Sequence, residues 1–199
     1  MAIHPALLAM VRELTAPKHP DFASLVMCRQ SPRAMADLLS HNVDPNSEHP
    51  NGHTILHADD LPSDVVRLLI LAGADVDAPH YGANLRTPLF FCTATGASTY
   101  LVNAGADLEA RDMDGLTPLM FQAAYNAPRI VEELLDLGAD PRATDRAGLD
   151  ALDHASVHLT DEDYAAMEAV FRRHRAGQRR DALGGLVEPR VLGEARPRF

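Results

Sequence analysis

Tryptophan is absent from this chain of 199 residues, lysine occurs once (Lys18), and cysteine occurs twice (Cys28 and Cys92). Two cysteines so far apart cannot form the dense disulfide framework of a small secreted domain, so reduced thiols and a cytoplasmic setting are expected. Aromatic residues make up 5 % of the chain against 46 % hydrophobic residues in all, so a core has to be built mainly from aliphatic side chains. No apolar run approaches the ~18 residues of a bilayer-spanning helix. The stretch Ala6 to Val11 is too short for a secretory leader and lacks a basic flank, so no membrane role is expected. Catalytic signatures are missing as well: there is no G-x-S-x-G, no phosphate loop, and no G-x-G-x-x-G after a strand. The near-absence of lysine beside 17 arginines suggests a GC-rich, bacterial coding sequence.

What is present is acidic and unevenly spread. Residues 1–171 hold 25 Asp/Glu against 10 Lys/Arg, a net of −15. Residues 172–199 hold 8 Arg against 3 acids, a net of +5. An acidic body argues against nucleic-acid binding, which needs a basic face. It suits a basic protein partner, because complementary potentials speed encounter.

The chain also repeats itself. Gly-Ala-Asp occurs at 73–75, 105–107 and 138–140, with glycines 32 and 33 residues apart. Each phrase follows an apolar doublet: Leu68-Leu69, Leu101-Val102 and Leu134-Leu135. A fixed period of this size marks an array of stacked units. The best-formed unit runs from Asp112 to Ala143. Asp114-Gly115 signals a turn. Thr117 stands at a helix N-cap and Pro118 at the first helical position, where a missing N–H costs nothing. Asn126-Ala127-Pro128 breaks that helix. Ile130, Val131, Leu134 and Leu135 recur at helical spacing and should be buried. Gly138 ends the second helix as a left-handed residue.

These residues resemble the ankyrin repeat, whose pattern reads D-x-x-G-x-T-P-L-H-x-A-A, then V-x-L-L, then G-A-D. Gly52-His53-Thr54-Ile55-Leu56-His57-Ala58 opens one copy, with Ile55 in place of Pro. Thr87-Pro88-Leu89-Phe90 opens the next, with Phe90 at the His position, and Met120 takes that position in the third. Upstream, Leu38 to Asn46 is a degraded copy with Asn42 for Gly. Downstream, Gly148 to Asp153 keeps the spacing and loses the letters.

The resemblance implies an all-α solenoid of stacked helix-turn-helix units with short hairpin fingers and atypical helical caps. The expected division is a cap with a degenerate repeat (1–46), full repeats at 47–78, 79–110 and 111–143, a capping repeat at 144–176 and an Arg/Gly/Pro-rich tail at 177–199. Ile3, Leu7, Met10, Val11 and Leu14 predict a helix in the first cap. Thr160 and Asp163 form a capping-box pair for the last helix.

By family resemblance the function is a non-catalytic protein–protein interaction module, with no cofactor and no small-molecule substrate, meeting its partner at finger tips and along the concave row of first helices. An inhibitor of a basic toxin enzyme and a secreted effector acting on a host protein are the alternatives. The expected contacts are His53, His80, Tyr81, Asn84, Arg86, Phe90, Phe91, Arg111, Met113, Met120 and Tyr125, with His57, Asp59 and Gln122 also on the concave side. The second finger stands out. From Gly73 to Thr87 is 14 residues, against 12 from Gly105 to Thr117 and 12 from Gly138 to Asp150, so two residues are inserted. Tyr81→Ala and Arg86→Ala are expected to weaken capture without changing the melting temperature. No metal site is expected at His49, His53 and His57, which a turn divides, or at His154 and His158, which lack a third ligand.

Overall fold

The structure is a computed structural model that describes residues 20–125 and 127–184. The described residues form eight α-helices: α1 Pro20–Cys28, α2 Pro32–Ser40, α3 Ser63–Leu71, α4 Ala97–Asn103, α5 Pro118–Ala124, α6 Pro128–Asp136, α7 Ala151–His158 and α8 Asp161–Gly184. Two 3-10 turns, Ile55–His57 and Pro88–Phe91, precede α3 and α4. No strand forms among the described residues, only isolated bridges joining Glu48 to Thr54 and His80 to Arg86. The helix expected over Ile3 to Leu14 lies outside the described residues.

Local sequence explains each element. The Thr117 hydroxyl accepts a bond from Met120 N–H, and Pro118 opens α5. Pro128 opens α6, and Ile130, Val131, Leu134 and Leu135 face inward together. Gly73, Gly105 and Gly138 end their helices at φ between +90° and +104°. A Cβ at any of the three would meet nothing within 4 Å, so glycine is required there by backbone conformation, not by crowding. Asn42 does the same work in the degraded copy at φ +59°, since asparagine tolerates the left-handed region. At the last turn, Asp163 N–H donates to the Thr160 hydroxyl, and that hydroxyl donates to the Asp163 carboxylate.

The first elements of two repeats are shorter than an ankyrin-like helix. Ile55–His57 and Pro88–Phe91 are single 3-10 turns. Pro62 keeps the residue before it out of helical conformation, so the first cannot extend through Leu61. The second runs into Thr93, Ala94 and Thr95 and then Gly96, which turns at φ +86°. Of the expected tail at 177–199, residues 177–184 are helical and 185–199 lie outside the described residues. Helix α8 continues to Gly184, well past Phe171, the last buried residue among its described side chains. A Glu168–Arg172 ion pair and a His174–Gln178 hydrogen bond, both at i,i+4, support the exposed turns.

One continuous core runs through the stack, from Leu25 and Met35 to Met167, Val170 and Phe171. Neighbouring units are tied on both edges. On one edge side chains reach across: Asp75 N–H donates to Asn46, Asp107 N–H to Asp77 and Asp140 N–H to Glu109, at 2.7–3.0 Å. On the other edge the fingers bond backbone to backbone: Gly82 N–H to Asn51 O, Met113 N–H to Asn84 O, and Arg146 N–H to Asp114 O. In the middle, Glu133 of α6 accepts bonds from Gly96 N–H, Thr99 N–H and the Thr99 hydroxyl at the start of α4. Burial pushes the Glu133 carboxyl up, but those donors outweigh it and hold its pKa below the ordinary value.

Candidate protein-binding surface

The finger tips show where the inserted residues went. Three fingers close with an N–H to C=O bond around three residues: His49 to His53, Asp112 to Leu116 and Asp145 to Leu149. The second closes from His80 to Arg86, around five. In the three short fingers the residue before the closing carbonyl is Gly52, Gly115 or Gly148, at φ +81° to +86°. In the second finger that slot holds Leu85 at φ +61°, preceded by Asn84 at φ +55°. A branched aliphatic residue in the left-handed region is strained, by about 1–2 kcal/mol. Leu85 is nonetheless 41 % exposed; Tyr81, on the same finger, is 64 % exposed and Met113, on the next finger, 54 %. Sequence reading missed Leu85. Its signal was its place inside the insertion, in the slot where sister fingers carry glycine.

Several expected contacts turn inward. Phe90 is 0 % and Met120 1 % exposed, so both leave the candidate surface. They occupy the fourth position of the Thr-Pro-Leu motif, which packs between units. Met120 sulfur accepts from Thr117 N–H. At the same position of the earlier repeat, His57 is buried: its Nδ1 accepts from Thr54 N–H, so Nε2 carries the proton and donates to Ala78 O at 2.9 Å. Gln122 is also buried and donates to the carbonyls of Phe90 and Cys92. Arg86 does not project from the tip. Its Nε donates to Asp112 Oδ2 at 2.9 Å, and its guanidinium lies 4.3 Å over the Phe121 ring. The other Asp112 oxygen accepts from Asp114 and Leu116 N–H, so this buried carboxylate organises the third finger and needs Arg86 as counter-charge. Arg111 donates to the carbonyls of Gly115 and Thr144, bracing the third finger against the fourth. Asn84 donates from its side chain to Asp114.

Along the concave base the rings form a row. Phe22 of α1 packs on His49 and His53, and His53 on His57 and His80 at centroid distances of 5.7 and 5.0 Å. Phe91 contacts His57, His80 and Phe121, and Phe121 packs on Tyr125 with ring centroids 4.5 Å apart and tilted by 34°. Tyr125 is 70 % exposed. His49, His53 and His57 share no helix face, yet the fingers gather His53 and His57 around His80. Burial, and then the neighbouring His80 and His49, lower the His53 pKa to about 4, against the opposing pull of Asp59. Burial also lowers His57 to about 4 and His80 below its ordinary value. At the far end, the His154 and His158 rings stack, and His154 Nε2 lies 2.9 Å from Asp145 Oδ2. Among the described residues no group of three or more His, Cys, Asp or Glu is placed to hold a metal ion. No helix of the described residues is long and apolar enough to cross a membrane.

These features define a stack of helical pairs that display fingers on one edge and a ring-lined concave base. Residues 58–145 match the family model for ankyrin repeats in three copies. The fold is an ankyrin-repeat solenoid, and the matched segment belongs to that family. Notch homolog protein 1 of Xenopus tropicalis is 34 % identical over 145 residues, 67 % of this chain and 6 % of that protein. NF-kappa-B inhibitor delta of Mus musculus is 42 % identical over 65 residues, 33 % of this chain and 20 % of that protein. The Danio rerio Notch homolog protein 1 is 32 % identical over 130 residues, 62 % of this chain and 5 % of that protein. The chain thus spans only a small part of the length of these relatives.

Proposed function

We propose that this chain is a non-catalytic module that holds a basic protein partner across the tips of its second and third fingers and the adjoining concave base. Ankyrin repeats generally mediate protein–protein interaction, and the matched residues 58–145 include both fingers. The observation that carries the reading is Leu85. Sister fingers relieve the same turn with glycine, whereas this one accepts strain and displays an exposed leucine on the finger that also exposes Tyr81, next to the finger that exposes Met113. Backbone strain of this kind clusters where a binding surface needs a particular side chain. Polar groups behind the tips are already committed to bonds between repeats, so the surface is presented by a rigid support. The acidic body favours a basic partner through faster encounter.

The test is a set of surface variants measured against whichever protein the chain captures from a native extract. Tyr81→Ala and Met113→Ala should each weaken binding, with a true hot spot costing ~2 kcal/mol or more, about thirty-fold. If both leave affinity within twofold, the interface lies elsewhere.

A further inference from the structure

A groove of about 560 Å³ opens between the third and fourth fingers and the concave helices, lined among others by Arg86, Asp114, Phe121, Tyr125, Asp145 and His158. We propose that this groove receives an arginine side chain of a basic partner segment, its guanidinium stacked on the free face of Tyr125 and paired with Asp114. The inference rests on the reading of the chain as a binding module for a basic partner, and supplies the side chain that the concave base recognises.

The protein already contains one such arrangement. Arg86 lies 4.3 Å over the Phe121 ring while its Nε donates to Asp112 at 2.9 Å. Phe121 is thereby covered by Arg86 and packed, tilted by 34°, against Tyr125 at 4.5 Å, so the next exposed aromatic face in the row is that of Tyr125. The charges in the groove do not cancel. Arg86 is neutralised by Asp112, and counting histidine as neutral, the carboxylates of Asp114 and Asp145 remain. Asp145 contributes only its field. One of its oxygens accepts from Ala147 and Leu149 N–H and the other is held to His154, so neither is free for a ligand. Asp114 accepts from Asn84 through Oδ2 alone, and its second oxygen takes no bond among the described residues. An exposed aromatic face, an acceptor with one free oxygen and a negative field fit a planar cation with forked donors better than an ammonium. No fixed basic group besides Arg86 lines the groove to oppose such a guest.

The test titrates the full chain with a fluorescein-labelled hexa-arginine peptide at physiological ionic strength, read by anisotropy. Tyr125→Ala and Asp114→Asn should each weaken binding by about five-fold or more. Asp107→Asn removes the same charge from the opposite edge and should change it less than about two-fold. A hexa-lysine peptide should bind at least about five-fold more weakly than hexa-arginine. Melting temperatures of the three variants report whether each remains folded. The proposal is overturned if the two Asp variants lose equally while Tyr125→Ala changes nothing, if the two peptides bind alike, or if the unmodified chain binds hexa-arginine no better than it binds hexa-glutamate. Those results would leave the finger-tip reading standing, since Tyr81→Ala and Met113→Ala test that separately.

Discussion

Arg86 shows how much one side chain's surroundings decide. An arginine on an enlarged finger beside a tyrosine reads as an interface anchor, yet here it answers the buried charge of Asp112 in the next finger. Removing it strands a carboxylate that water cannot reach, and breaking such a pair costs about 3–5 kcal/mol. Urea denaturation of Arg86→Ala should therefore show a large loss of stability, against the expectation that this variant would melt normally. An unchanged midpoint would place Arg86 in solvent. Leu134, completely buried in α6, gives a second check. Leu134→Ala should cost about 2–5 kcal/mol in the same assay. The burial of Leu134 was legible, because helical spacing and the neighbouring Gly-Ala-Asp fix its register. The role of Arg86 was not, because its partner lies 26 residues away and periodicity does not say which residues of adjacent repeats pair.

Among the elements, the second finger is where local rules are broken. Counting residues between motif positions revealed a two-residue insertion, and the structure places it inside the closing hydrogen bond. Counting could not reveal that Leu85 would enter the left-handed region or that Asn84 would bond both backbone and side chain to the third finger. Leu85→Gly separates display from support. It relieves backbone strain of about 1–2 kcal/mol while removing an exposed side chain, so the melting temperature should hold or rise while partner affinity falls. A drop in both would mean that Leu85 supports the finger. The inward turn of Phe90 and Met120 belongs to this scale as well. Both were expected on the concave side, but where the first element is a 3-10 turn or a two-turn helix, its third residue, the one after Pro-Leu, points between repeats.

Over the whole molecule, the solenoid links its stability to pH. His53 and His57, with pKa values of about 4 in the folded chain against an ordinary 6.5, and His80, also lowered, are held neutral by burial. Between pH 6.5 and about 4 the unfolded chain binds protons that the folded chain refuses. Stability should thus be level above pH 6.5 and fall with acid, by up to about 1.4 kcal/mol per pH unit for the well-buried His57 and by less for the partly exposed His53, whose charge water screens, with His80 pulling the same way. Glu133 and Asp145 push the same way at lower pH. For Asp145, burial raises the pKa, but bonds from Leu149 N–H, His154 and Ala147 N–H outweigh it. Both carboxyls are held below their ordinary values, so the stability they contribute is present above those values and is lost as pH falls through the folded ones. A melting temperature that rises between pH 6.5 and 5 would contradict the buried histidine row. The repeat order, and with it the fold, was open to reading because each unit carries its own turn, cap and left-handed stop. The histidine row was hidden, because it assembles from two fingers and a 3-10 turn whose spacing in the chain gives no common face.

The proposed binding surface spans the tips of the second and third fingers. Its most direct test is the dissociation constant of the captured partner for the unmodified chain and for Tyr81→Ala, with melting temperature followed in parallel. Affinity should fall by about thirty-fold while melting changes by no more than a few degrees. Affinity within twofold of the unmodified chain, with the fold intact, would contradict it.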